Sequence, residues 1–313
     1  MIRARELCAR MSLAAFTFLI NSGCGRAAEE EVSPFSYHMD AAPETRYSKE
    51  AAVEARKRKA AILASFKDVK DDHWAGEYYR GDGLGDNDYF LISPAGFVFE
   101  TYGCLGLYDR NYGDVTLSNG VMVLHSEYPF EEVGFTVLGA EYVPIAWGER
   151  TYLVEMDGIV TFCNAVNAGK EPRKGMRGVI FLKDGDHKQQ EIGQPRLPAG
   201  FERYLLHETV DATVLRLQDK HVTTNRHGVT VTDFPAVIDK GHKDGIYAGM
   251  ELYRRDIWEL IRATVVDSAD ESAVVRYRSY GTNIVCPHVG WSMSTSWPNW
   301  EGVTSRINTS TVQ

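Results

Sequence analysis

Asp82, Asp86 and Asp88, with Asn87 between them, gather hard oxygen ligands in one short stretch. Calcium prefers several such oxygens, so these three aspartates are the first metal candidates. Leu84 occupies a place where an EF-hand needs a ligand, which weakens them against the plainer reading of a solvated connection. Gly81, Gly83 and Gly85 run through the same stretch. A phosphate-cradling glycine loop needs a strand before it and a helix after it, and that context is missing. Cys286 and His288 offer sulfur and imidazole, and His221, His227 and His242 offer further imidazoles. Zinc requires three or four converging ligands, and no two of these groups share a recognised metal spacing. No metal and no cofactor is expected. Gly290-Trp291-Ser292-Met293-Ser294 lacks the closing glycine of a nucleophile elbow, and Gly169-Lys170 is followed by Glu171 rather than Ser or Thr. Trp291, Trp297 and Trp300 could stack on a sugar, although covering a sheet edge is the simpler task for them. The residues point to binding more than to catalysis.

The most specific chemistry lies at the N-terminus. Arg3, Arg5 and Arg10 precede an apolar run from Met11 to Ile20, and Asn21-Ser22-Gly23-Cys24 follows. A basic start, a short apolar core and small residues before a cysteine make an export signal. The apolar run is too short to span a bilayer, which takes roughly 20 residues. The pattern resembles the signal of bacterial lipoproteins, whose cysteine is acylated and becomes the new N-terminus. The resemblance implies lipidation of Cys24. With Gly25 after it in place of Asp, it also implies a cell-envelope location on the periplasmic side of the outer membrane. Asn21 stands where the family carries an aliphatic residue. The alternative is plain cleavage near Ala27, which would leave a soluble periplasmic or secreted protein.

The chain has 313 residues, 44% of them hydrophobic and 25% charged, enough for a large core or two domains. Without residues 1–23 it keeps 31 basic and 42 acidic residues, a net charge of −11. That excess opposes phosphate backbones, so no nucleic-acid partner is expected. The expected partners are the membrane, through the lipid, and other envelope proteins. Five cysteines reduce to Cys104, Cys163 and Cys286 once Cys8 leaves with the signal and Cys24 takes lipid. One disulfide is then possible, with its pairing open.

These groups need elements to position them. Residues 24–47 are polar and aperiodic, a tether. Residues 48–70 read as a helix capped by Ser48, with Val53, Ala60, Leu63 and Phe66 on its apolar side and Arg56–Lys59 on a solvated face. Residues 71–195 alternate short apolar runs with turn signals, notably Asn119-Gly120, and read as an antiparallel β-rich domain. A short helix near 157–168, capped by Asp157, carries an apolar stripe of Ile159, Phe162, Cys163 and Val166. Trp74 to Tyr79 resembles the opening strand of lipocalin-like barrels, in which a glycine and a tryptophan close the floor; here Gly76 follows Trp74. Residues 196–285 read as a small β-barrel-like domain, and 286–313 as a tail.

Within the second domain, Gly241, Asp244, Gly245, Ile246, Gly249 and Met250 punctuate a hairpin in which Ile246 should plug the core. Gly241, Gly245 and Gly249 are its structural loop positions. The segment resembles the small barrel modules of MreC-like and flagellar-assembly envelope proteins. That resemblance implies assembly or spacing rather than chemistry. The expected architecture is mainly β with minor α, in two antiparallel sandwich- or barrel-like domains. The expected function is that of an exported, lipid-anchored envelope protein with a binding or scaffolding role. The alternatives are a carrier of a small apolar ligand in the first β domain, and a cell-wall hydrolase whose acidic residues are unidentified.

Overall fold

The computed structural model describes residues 46–68, 72–81, 85, 87–129, 138–172, 180–254, 261–281 and 286–297. The signal, most of the tether, Cys24, Asp82, Asp86 and Trp300 lie outside them. The fold is mainly β, with two closed barrels.

The first barrel is an eight-stranded up-and-down meander. Its strands are β1 (Gly76–Arg80), β2 (Asn87–Ser93), β3 (Gly96–Gly103), β4 (Gly106–Ser118), β5 (Val121–Ser126), β6 (Glu141–Trp147), β7 (Arg150–Glu155) and β8 (Ile180–Lys183). Each pairs antiparallel with the next, and β1 pairs with β8 to close the ring, Tyr79 opposite Leu182. The period-2 alternation of side chains sends one set inward. Phe90 is the hub of that set. Its ring lies 5.9 Å from Phe97, 6.1 Å from Phe99, 5.6 Å from Tyr142 and 5.4 Å from Phe181. All five are fully buried. Each contributes about 1.5–3 kcal/mol through removal of apolar surface from water, and ring pairing adds to it. Trp74 sits at one end of this core, and its carbonyl accepts from the buried Tyr78 hydroxyl at 2.7 Å.

Two helices cover the barrel from outside. Helix α1 (Lys49–Ser65) starts at Ser48, whose hydroxyl accepts from the Ala51 amide. It lies on Leu91, Val98 and Tyr112, the outward residues of β2, β3 and β4. The buried side is only partly the expected one: Ala51, Ala55 and Ile62 face the barrel and Phe66 packs against it, while Val53 and Leu63 are exposed. Small residues let the helix approach closely, and a charged residue then fixes its position. Arg58, inside the basic run, pairs with Glu54 and Asp114 and lies 5.5 Å from the Tyr112 ring centre. The cation–ring contact is worth about 0.5–1 kcal/mol, comparable to a surface ion pair.

Helix α2 (Ile159–Asn167) occupies the β7–β8 connection. Ile159, Phe162 and Cys163 pack on Val143, Ile145, Tyr152, Val154, Ile180 and Leu182, as the stripe predicted. Its N-cap is Gly158, with no side-chain cap, so Asp157 does not cap it; Met156–Gly158 form a 3-10 turn instead. Burial pushes the Cys163 thiol up to about 12, which makes it an inert core residue.

The second barrel uses β9 (Asp211–Leu217), β10 (His221–Thr224), β11 (Thr230–Ile238), β12 (Glu251–Arg254), β13 (Arg262–Ser268), β14 (Ala273–Tyr280) and β15 (Ser292–Ser294). The ring runs β11, β14, β13, β12, β15, β9 and back to β11. Strand β10 continues the line of β9 along β11, with Leu217 opposite Ala236 and His221 opposite Asp233. Strand β15 comes from the stretch read as a tail; it fills the gap between β12 and β9, so residues 292–294 belong to the barrel.

The two barrels meet on α2. The Asn164 side chain donates to the Gly249 carbonyl at 3.0 Å and accepts from the Glu251 amide at 3.1 Å. One turn on, Asn167 holds the linker by donating to the Tyr204 carbonyl and accepting from the Leu206 amide.

Candidate functional site

Of the three acidic metal candidates only Asp88 is described, and its side chain faces inward with Phe90 and Ile92. One carboxylate oxygen accepts from Arg80 Nε at 2.7 Å, the other from the Thr101 hydroxyl at 2.7 Å. Both oxygens thus serve the barrel. Cys286 and His221 are exposed at separate places, His242 stacks on Tyr247 and His288 meets the edge of Trp291. Among the described residues no three His, Cys, Asp or Glu side chains converge as metal ligands.

The three glycines do distinct jobs. Gly241 has ordinary extended backbone, but a Cβ there would lie 2.1 Å from the Ala269 carbonyl oxygen. Its requirement is space, and its amide donates to the Asp244 carboxylate at 3.1 Å. Gly245 has φ +80°, a left-handed conformation that a Cβ disfavours. Gly249 touches α2: its Cβ would meet Val160 at 3.1 Å, and its carbonyl takes the Asn164 bond. Ile246 is fully buried in the second core.

Neither described C-terminal tryptophan is a free stacking face. Trp291 lies in the second core against Tyr277. Trp297 packs on Tyr253, and the Lys170 ammonium sits over both rings. Burial lowers that lysine to about 8.

One end of the first barrel is polar inside. Arg80, Asp88 and Thr101 form one linked group there. Asp109, the strand partner of Thr101, accepts from Arg46 at 2.7 Å. Glu155 shares the inward face of Leu153. Burial, with Asp157 adding to it and Arg80 opposing it, raises its carboxyl to about 7.

The outer surface offers the more open arrangement. Helix α1 covers β2–β4 and α2 covers β6–β8, which leaves the outward residues of β1, Glu77 and Tyr79, between them. Two adjoining clefts open there. One, of about 280 Å³, is lined by Tyr79, Leu182, Lys183, Asp184 and His187. The other, of about 140 Å³, lies between β1, β2 and Lys59 of α1, and again includes Tyr79 and Asp184. Tyr79 is directly opposite Tyr89 on β2, ring centres 5.3 Å apart, and Tyr89 is 6.0 Å from Tyr102 on β3. Tyr89 is 49% exposed. A row of tyrosines therefore crosses three strands on the outside of the barrel and runs into the clefts. The sequence shows each of these tyrosines but not the row, which exists only once the register is set. Comparison of the chain with protein-family models, with characterised proteins and with solved structures finds no match in any of the three.

Proposed function

We propose that the chain is an exported protein of the cell envelope, anchored by lipid on Cys24 at the periplasmic side of the outer membrane, and that its role is binding. The export half is supported by the basic start, the apolar run Met11–Ile20 and the Ser22-Gly23-Cys24 ending. The binding half is carried by one observation: the tyrosine row runs into two adjoining clefts on the outer wall beside β1, between the edges of the two helices. The buried charged groups, by contrast, are spent inside. Arg80 neutralises Asp88 and Arg46 neutralises Asp109, which suits a role in holding the barrel.

The lumen of the first barrel is not the binding surface in this reading. Phe90 and its four neighbours occupy its centre ring against ring. The second barrel, whose hairpin resembles modules that assemble or space envelope components, serves as the mount.

Mass spectrometry of the mature N-terminus tests the anchor. The expected species begins at an acylated Cys24, and Cys24→Ser releases the protein from the membrane fraction. An unmodified Cys24 or an intact Met1 removes the anchored reading.

A further inference from the structure

We infer that the outer groove of the first barrel binds a neutral, hydroxyl-rich chain: an oligosaccharide laid across β1, β2 and β3, with its sugar rings on Tyr79, Tyr89 and Tyr102. Three properties of the groove select this class. The first is the row itself. Neighbouring strands are about 4.8 Å apart, close to the length of one sugar unit in an extended chain, so tyrosines on successive strands present aromatic surface at the repeat of the ligand. The ring centres, at 5.3 and 6.0 Å, keep that step.

The second property is charge. Glu77, Asp184, Lys59 and His187 are exposed along the clefts, and Lys183 borders them half-buried. The mixture of signs cancels. A phosphate-rich ligand would meet Glu77 and Asp184, and a lipid tail would strip water from all five groups without replacing its hydrogen bonds. Sugar hydroxyls both donate and accept, so they can satisfy carboxylate, ammonium and imidazole alike. The third property is rigidity. The Tyr79 hydroxyl donates to the Asn87 side chain and Lys183 donates to the His73 carbonyl at 2.9 Å. Tyr79 and Lys183 are thus held before a ligand arrives, which lowers the ordering cost of binding.

Isothermal titration of the full mature chain with linear hexamers of N-acetylglucosamine and of glucose tests this. At least one hexamer is expected to bind. Tyr89→Ala should weaken it about tenfold, the scale of one lost aromatic stack. Tyr89→Phe keeps the ring face and should keep the affinity. Tyr280→Ala, at a still more exposed tyrosine on the second barrel, should change nothing. Unchanged far-UV circular dichroism establishes that the variants are folded. Failure of both hexamers to bind, equal affinity in Tyr89→Ala, or loss in Tyr89→Phe as deep as in Tyr89→Ala overturns the inference. The inference rests on the binding half of the proposed function alone. Failed titration with an acylated Cys24 would remove the glycan and leave the anchor, whereas titration that succeeds with an unmodified Cys24 would do the reverse.

Discussion

Glu155 shows how a single carboxyl is tuned by where its strand points. On β7 it follows Val154, which faces α2, so alternation turns it toward the barrel interior with Leu153. Partial burial disfavours its charge, and Arg80 compensates incompletely. Its folded value of about 7 exceeds the ordinary 4.5 of the unfolded chain. Between those values the folded protein holds a proton that the unfolded chain has released, so stability falls as pH rises through that window and the penalty is complete above it. After discounting for its half exposure, the penalty is about 1 kcal/mol. Glu155→Gln should therefore raise the melting temperature at pH 8 and leave it unchanged at pH 4, as read by thermal melts. An equal rise at both values would show that charge is not the cause.

At the level of elements, helix α2 has two faces with different work. Its apolar face finishes the wall of the first barrel. Its amides join the barrels, since Asn164 spends its carboxamide on Gly249 and Glu251 across the junction. The apolar face was legible as an i, i+3, i+4, i+7 stripe. The amide face was not, because an asparagine in a helix looks the same whether it meets water or another domain. Asn164→Ala leaves a half-buried carbonyl and a half-buried amide without this partner, a cost of about 2 kcal/mol. Calorimetry should show the single unfolding transition split into two as the barrels lose their coupling; one transition at the original temperature would deny α2 that role. Helix α1 taught the opposite lesson. Its larger apolar residues Val53 and Leu63 point outward, because close approach to Leu91 and Tyr112 favours Ala51 and Ala55 over bulk.

For the whole molecule, the decisive strand is the last one. Strand β15 is three residues long, yet it separates β12 from β9 and carries Met293 into the core beside Trp291. Removing residues from 291 onward would expose two strand edges and delete both side chains from the second core. The truncated chain is expected to lose the second barrel's cooperative unfolding while the first barrel keeps its own, as followed by urea unfolding with site-specific probes. Preserved stability of the second barrel would mean that β9 and β12 pair directly.

The sequence by itself determined the local alphabet. It marked the β-rich texture of both domains, the Asn119-Gly120 turn, both helices, the plug at Ile246 and the glycines around it, because each depends on periodicity or backbone conformation within a few residues. Strand β4, Gly106–Ser118, carries no such local mark: its composition is polar, and it is a strand because β3 and β5 pair with it. Tertiary structure alone decided that the first ring of strands closes, that Asp88 turns inward to Arg80, and that Tyr79, Tyr89 and Tyr102 stand in one row. Those facts join residues on different strands. They follow from register and closure, which are properties of pairs of strands and cannot be read from either strand alone.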